Sequence, residues 1–203
     1  ICSATLEFNN SFDYFMEELG LNDLDNIKIK TSVHKSPFLY DEQMKLFLYQ
    51  TRLDINSQDY TDSLASQIFL YRKKINTRIL VLCTSYNQII SFNNYFRKQN
   101  INDNIFYQLP SSNRSFLIKK YLKEKNSILF GTSSFWEGID LPGKDVETLW
   151  ITKIPFSNPK DPLFISQSEK YISKGKNSFI NYSLPDATIK LKQGFGRLIR
   201  NLN

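Results

Sequence analysis

Residues 78–96 read RILVLCTSYNQIISFNNYF, and this stretch decides the fold class. Its first part, 78–85, contains a continuous apolar run, which is typical of a strand covered on both faces of a sheet. Its second part places Ile89, Phe92 and Phe96 at the spacing of one helix face. The stretch therefore predicts a buried strand that is followed directly by an amphipathic helix.

The same alternation of strands and helices extends along the chain on both sides of this stretch. The predicted strands are 27–33, 44–50, 78–85, 104–108, 127–132 and 147–155, and the predicted helices are 11–21, 57–75, 86–99, 113–125, 161–175 and 185–200. From residue 57 onward, apolar strands alternate with helices, which favours an α/β fold with a parallel sheet wrapped on both faces. Ligands of such sheets bind beyond the carboxyl ends of the strands.

Composition limits the classes of protein that need to be considered. The chain has 203 residues, 41% of them hydrophobic, which is enough for one well-packed domain. A formal net charge of +6 favours a polyanionic partner only mildly. No apolar run reaches membrane-spanning length and no signal peptide is visible, so we expect no membrane association.

The cysteine and histidine content excludes the common metal centres. Cys2 and Cys83 lie in or beside apolar segments and are predicted to be core thiols. Together with the single histidine, His34, they cannot form a tetrahedral zinc site or hold an iron–sulfur cluster. No disulfide framework is expected, which indicates a reducing compartment.

Residues 138–145 read GIDLPGKD, which partly matches the phosphate-binding pattern G-x-x-x-x-G-K-[ST]. Asp145 stands where a magnesium-binding hydroxyl is required, and Pro142 removes one backbone N–H from the phosphate cradle. The pattern should also open a helix, whereas a strand is predicted at 147–155. We therefore reject a phosphate-binding loop of this type here.

The last predicted helix has two distinct faces. One face carries an apolar stripe, and the opposite face carries Gln193, Arg197 and Arg200, with Gly194 and Gly196 beside them. Two arginines one turn apart form a fork suited to phosphate. On spacing alone, an ordinary solvated face explains the arginines equally well.

Three motifs occur together and in a fixed order: SATL at 3–6, GTSSFWEGIDLPG at 131–143 and QGFGRLIR at 193–200. This set resembles the XPD/DinG group of superfamily 2 DNA helicases, most of all its bacterial DinG branch. In that group the three segments correspond to motifs III, V and VI, and VLCTSY at 81–86 stands at motif IV. The resemblance covers nearly the whole chain.

The resemblance implies the second of two RecA-like domains, with ATP bound in the cleft between them. Residues 1–6 would be a remnant of the first domain and 7–203 the second domain. The first domain, expected to precede Ile1, would hold the magnesium ion and any iron–sulfur cluster, so no cluster belongs to this part. We expect this chain alone to be inactive as an ATPase and the parent to be a bacterial cytoplasmic protein.

The resemblance also implies roles in the ATP site. Arg200 resembles the arginine finger that meets charge developing on the γ-phosphate, and Arg197 resembles its partner on the phosphates. Gln193 would place a water or hold a phosphate oxygen. Nucleotide-binding candidates in the second motif are Gly138, Asp140 and Glu137; a salt bridge is an equal alternative for Glu137.

Single-stranded DNA is expected to cross the same strand ends. Candidates for holding backbone phosphates are the hydroxyls of Thr84, Ser85, Thr132 and Ser133, with Lys153 as a weaker one. Tyr86, Phe135 and Trp136 are candidates for stacking on bases. Strand-end capping is the alternative for the hydroxyls, and burial in the core is the alternative for Trp136. Ser3 and Thr5 resemble the motif that links the ATP state to domain movement.

Two functions are favoured at this point, and a plain interaction domain comes last because it leaves the paired arginines and glycines unexplained. The first is the C-terminal motor domain of an ATP-dependent DNA helicase or translocase with a role in DNA repair. The second is an ATP-regulated module that binds single strands within a DinG-type exonuclease. The partners in both cases are single-stranded DNA and the first RecA-like domain.

Overall fold

The computed structural model describes residues 2–3, 5–24, 28–101, 104–132, 135, 146–196 and 198. The chain divides into two compact units: Ile1–Pro37 with Pro155–Gln193, and Phe38–Ile154 with Gly194–Asn203. We call them the helical unit and the sheet unit and describe each by itself. The predicted domain boundary after residue 6 falls inside the helical unit and stays a prediction.

The described elements follow one another in nearly the predicted order. They are α1 (Asp13–Glu18), a 3-10 helix (Leu21–Asp23), α2 (Tyr40–Gln43), α3 (Gln58–Ile75), β1 (Ile79–Leu82), α4 (Tyr86–Lys98), β2 (Ile105–Tyr107), α5 (Arg114–Lys123), β3 (Ile128–Gly131), β4 (Thr148–Ile151), α6 (Pro162–Ser173), a π-helical turn (Phe179–Ser183) and α7 (Leu184–Phe195). Among the described helices, none is long and apolar enough to cross a membrane.

The sheet unit contains a four-stranded sheet in which every pairing is parallel, with strand order β2-β3-β1-β4. The connections β1–α4–β2 and β2–α5–β3 run in opposite directions along this sheet. Because such crossovers are right-handed, α4 and α5 lie on opposite faces. The predicted parallel sheet with helices on both faces is confirmed.

One face of the sheet packs against α3 and α4. Ile79, Val81 and Phe130 point to this face and join a single apolar cluster with the two helices. The ring centroids of Phe92 and Phe130 are 4.7 Å apart at its centre. The alternate residues Leu80, Leu82 and Leu129 are also fully buried but lie outside this cluster, so the opposite face is covered as well. Burial on both faces explains why β1 reads as an unbroken apolar run.

Four of the described helices begin at side chains that cap their free N–H groups. In each, the residue before the helix accepts a hydrogen bond from a backbone N–H in the first turn. These capping residues are Ser57, Ser85, Asn113 and Asp161. Ser and Asn favour this position, so the sequence predicts Ser11 and Asn113 as caps of its first and fourth helices. Asn113 is confirmed. In α1 the cap position is Phe12, and Ser11 instead accepts from the N–H of Asp13 at 2.9 Å.

The two strands predicted before α3 are wrong. Residues 28–33 and 44–50 form no strand, and they make no ladder with another described segment. Leu46, Phe47 and Leu48 are 62%, 80% and 86% exposed. Apolar alternation favours an extended chain, but a strand exists only where a neighbour supplies its hydrogen bonds.

The helical unit is held by an ion-pair cluster around α1. Glu17 accepts hydrogen bonds from Lys174 at 2.9 Å and from Lys176 at 2.7 Å. Burial opposes ionisation of this carboxyl, but the two lysines outweigh it and lower its pKa. The rings of Tyr171 and Tyr182 stack beside it at 5.8 Å.

Candidate functional site

The carboxyl edge of the sheet carries polar residues at each of its four strand ends. Thr84 and Ser85 follow β1, Gln108 follows β2, Thr132 follows β3 and Thr152 follows β4. Parallel strands place these ends at one edge, so the sheet brings together residues that are far apart in sequence. We call this edge of the sheet, with the residues that directly follow its strands and the first residue of α4, the carboxyl edge.

Among the described residues at the carboxyl edge, three consecutive ones are exposed. Thr84 and Ser85 are exposed, and Tyr86, the first residue of α4, is 37% exposed. Ser85 caps α4 by accepting from the N–H of Gln88 at 3.2 Å. The capping alternative therefore holds for Ser85, although its position also leaves it open to solvent. An exposed hydroxyl row beside a helix N-terminus is chemically suited to phosphate oxygens.

Gln108 links three of the four strand ends at this edge through hydrogen bonds. Its Oε1 accepts from the backbone N–H of Thr132 at 2.7 Å and from the Thr132 hydroxyl at 3.1 Å. Its Nε2 donates to the Tyr86 hydroxyl at 3.4 Å. Gln108 and Thr132 are only 7% and 4% exposed. The Thr132 hydroxyl is thus bonded inside the protein, and the exposed ring of Tyr86 is tethered to the same amide.

Gln88 makes the corresponding connection to the fourth strand. Its Oε1 lies 2.8 Å from the Thr152 hydroxyl and 3.4 Å from the N–H of Thr84. The hydroxyl of Tyr60 donates to the Thr152 carbonyl behind it. The Nε2 of Gln88 is buried and has no acceptor in the described part of the chain. Lys153, the weaker phosphate candidate, donates to the Oδ1 of Asn56 at 3.0 Å.

Gly131 sets the path of the chain that leaves β3. A Cβ built at this position would stand 2.5 Å from Cγ of Phe135, so only glycine lets that ring pack against the strand end. Phe135 is fully buried, and the prediction that it stacks on bases is wrong. The ring of Phe135 packs inward because Gly131 leaves space for it.

The chain has two cysteines, one buried and one exposed. Burial raises the pKa of Cys83, and this residue belongs to the core as predicted. Cys2 is exposed, so its predicted burial is wrong. The described residues contain no group of three side chains that could hold a metal ion.

The candidates for the ATP site fall mostly outside the described residues. These are Gly138, Asp140, Glu137, Arg197 and Arg200, and the DNA candidates Ser133 and Trp136 are outside as well. Gln193 is described, near the end of α7.

Among the described residues, Gln193 has an unpaired hydrogen-bond acceptor in its side chain. Its Oε1 is buried and has no hydrogen-bond partner among the described residues. An acceptor in this state suits a water or a ribose hydroxyl, which can donate to it. In the same unit, Ser3 and Thr5 approach each other at 3.3 Å between their hydroxyl oxygens.

Sequence reasoning missed the two glutamines that organise the carboxyl edge. For Gln88 a signal was present, because Ser85-x-x-Gln88 matches the capping pattern in which the third residue of a helix folds back on its start. For Gln108 no local signal exists, since its partners Thr132 and Tyr86 are brought to it by the sheet.

Comparisons with known proteins agree with this architecture. Residues 68–203 match the helicase C-terminal domain family. The chain is 33% identical to the 3'-5' exonuclease DinG of Bacillus subtilis, over 99% of the chain and 22% of that protein. It is 34% identical to the ATP-dependent DNA helicase YoaA of Haemophilus influenzae, over 98% of the chain and 30% of that protein.

A third relative is the ATP-dependent DNA helicase DinG of Photobacterium profundum, 36% identical over 98% of the chain and 29% of that protein. The chain thus spans less than a third of the length of these three relatives. The resemblance to the DinG group is confirmed, and the four-stranded parallel sheet is consistent with a RecA-like domain. The chain therefore belongs to the helicase C-terminal domain family.

Proposed function

We propose that this chain is the C-terminal motor domain of an ATP-dependent DNA helicase or translocase of the bacterial cytoplasm. The observation that carries the proposal is the exposed row Thr84–Ser85–Tyr86 at the carboxyl edge of a parallel sheet. In this proposal residues 1–6 end a preceding RecA-like domain, and 7–203 form the second one. The family match and the names of the relatives support it.

Single-stranded DNA would lie along the carboxyl edge. The hydroxyls of Thr84 and Ser85 and the N-terminus of α4 would contact phosphate oxygens, and the Tyr86 ring would stack on a base. Thr132 contributes by holding Gln108, which in turn tethers Tyr86. Ser133 and Trp136 remain proposed DNA contacts in the segment that follows β3.

The segment after β3 and the segment that contains Arg197 and Arg200 would face the nucleotide. Hydrolysis of ATP, with magnesium held by the preceding domain, supplies the free energy for movement. Arg200 would stabilise charge on the γ-phosphate, and Arg197 would bind the phosphates beside it.

The remaining candidates would act around these arginines. Gly138, Asp140 and Glu137 would contact the rest of the nucleotide. The unpaired Oε1 of Gln193 supports a role in orienting water. Ser3 and Thr5 would couple the ATP state to domain movement.

DNA-stimulated ATP hydrolysis by the full natural chain tests this proposal. Arg200→Ala is expected to lower the stimulated rate about 10³-fold or more, the scale of arginine fingers. Arg52→Ala, a substitution of an exposed arginine in the sheet unit, serves as the matched control and should leave the rate unchanged. Equal rates for Arg200→Ala and Arg52→Ala would refute the arginine finger.

A second function is favoured by the Bacillus subtilis relative, which is named a 3'-5' exonuclease. Here the domain would be an ATP-regulated module that binds single strands and controls a linked nuclease. A protein that degrades DNA under ATP control but neither unwinds nor translocates would establish this alternative. In both cases the 203-residue chain alone is expected to lack ATPase activity, and no iron–sulfur cluster is assigned to it.

A further inference from the structure

One face of α5 carries an exposed aromatic residue followed by three lysines. Phe116, Lys119, Lys120 and Lys123 recur at intervals of three and four residues, so they form one stripe along the helix. Phe116 is 55% exposed, and the three lysines are exposed too. The buried face of the same helix carries Tyr121. We call these four residues the α5 stripe.

All charged side chains of α5 are basic. Between Arg114 and Lys123 the helix has four basic residues and no acidic one. Within the described residues none of these four side chains forms an ion pair. The Nζ of Lys120 lies 4.6 Å from the centre of the Phe116 ring. An exposed ring beside unpaired cations is suited to a ligand with both flat faces and negative charge.

The topology places the start of this stripe at the carboxyl edge. Because α5 follows β2, its N-terminal turn lies at the same sheet edge as Thr84, Ser85 and Tyr86. The guanidinium of Arg114 stands 5.5 Å from the ring centre of Phe135, which follows β3 in the chain. From Phe116 to Lys123 the stripe runs about 10 Å away from that edge, at about 1.5 Å per residue.

We propose that the α5 stripe is a second binding surface for single-stranded nucleic acid, continuous with the carboxyl edge. Phe116 would stack on a base, and Lys119, Lys120 and Lys123 would contact successive phosphates as the strand leaves the edge. This inference rests on the proposed DNA contact at Tyr86. It adds that the nucleic-acid strand leaves the carboxyl edge across α5.

Binding of oligothymidylates of increasing length to the full natural chain, followed by fluorescence anisotropy, tests the inference. Phe116→Leu should weaken binding of long oligomers about 5- to 150-fold, the range for loss of one stacked base, while Phe116→Tyr should retain it. The triple change Lys119→Gln, Lys120→Gln and Lys123→Gln should reduce the salt dependence, lowering the slope of log K against log salt by about 2.

Lys73→Gln is the matched control. Lys73 also lies over an aromatic ring, 4.5 Å from the centre of Phe69, but near the end of α3 that leads into β1, at the opposite sheet edge. Its substitution should change neither affinity nor salt slope. Short oligomers that fill only the carboxyl edge should bind equally well to the wild type and to the stripe variants.

The outcomes separate the two proposals. If Tyr86→Ala weakens binding but the stripe variants match Lys73→Gln at every length, the stripe is refuted and the carboxyl edge stands. A wild-type chain that binds no single strand of any length overturns both. Weakening of long oligomers alone, with the reduced salt slope, supports the stripe.

Discussion

Replacing Gln108 by methionine removes the amide that holds the carboxyl edge together. Methionine has a similar length and keeps the backbone bond from the Gln108 N–H to the Phe130 carbonyl at 2.9 Å. It removes the acceptor of the Thr132 N–H at 2.7 Å and of the Thr132 hydroxyl at 3.1 Å. The tether to the Tyr86 hydroxyl is lost at the same time.

The magnitude follows from the burial of these groups. A hydroxyl can rotate toward another acceptor, but the Thr132 N–H is fixed by the backbone at a residue only 4% exposed. Leaving such a donor unpaired costs about 1–3 kcal/mol. If that free energy appears in the local opening of this amide, its hydrogen exchange should accelerate about 5- to 150-fold.

Hydrogen exchange followed by mass spectrometry measures this directly on peptides that contain Thr132. The N–H of Cys83, which donates to the Gly131 carbonyl at 2.8 Å, is an internal reference that should keep its protection. Thr132→Val is the matched control, because it removes the hydroxyl and leaves intact the hydrogen bond from the Thr132 N–H to Gln108 Oε1. Unchanged protection of Thr132 in Gln108→Met would refute the network.

Two further changes test other parts of the structure. Gly131→Ala should lower the free energy of unfolding by about 1–3 kcal/mol, because the new methyl would overlap the Phe135 ring; a urea midpoint equal to that of the wild type would contradict the close approach. In the helical unit, the lysines beside Glu17 hold the pKa of its carboxyl in the folded state below the ordinary value of 4.5. The Glu17 carboxylate therefore stabilises the fold above that pH. This stability is lost as the pH falls through the lowered pKa. Glu17→Gln should therefore flatten the decline of the urea midpoint on acidification, and a decline as steep as in the wild type would exclude this role of Lys174 and Lys176.

Most elements from residue 57 onward could be predicted because their signals are local. Apolar runs gave β1 and β3, helical spacing gave α3 and α4, and the capping side chain of Asn113 marked the start of α5. The same rules failed at 28–33 and 44–50, where apolar alternation has no neighbouring strand to pair with. The period of apolar residues indicates which side chains of a segment can be buried. Whether the segment pairs as a β-strand depends on whether another strand lies beside it.

The candidate site divides in the same way. Thr84, Ser85 and Tyr86 could be placed from sequence, since any residues that directly follow a buried parallel strand lie at its carboxyl end. The inward turn of Phe135 could not, because it depends on the close approach of its ring to Gly131. The tether from Gln108 to Tyr86 could not either, because the sheet brings together residues that follow two different strands. Residue types and local spacing were sufficient for the fold class and the edge where ligands gather, whereas tertiary packing decided which polar groups at that edge are exposed and which are hydrogen-bonded inside it.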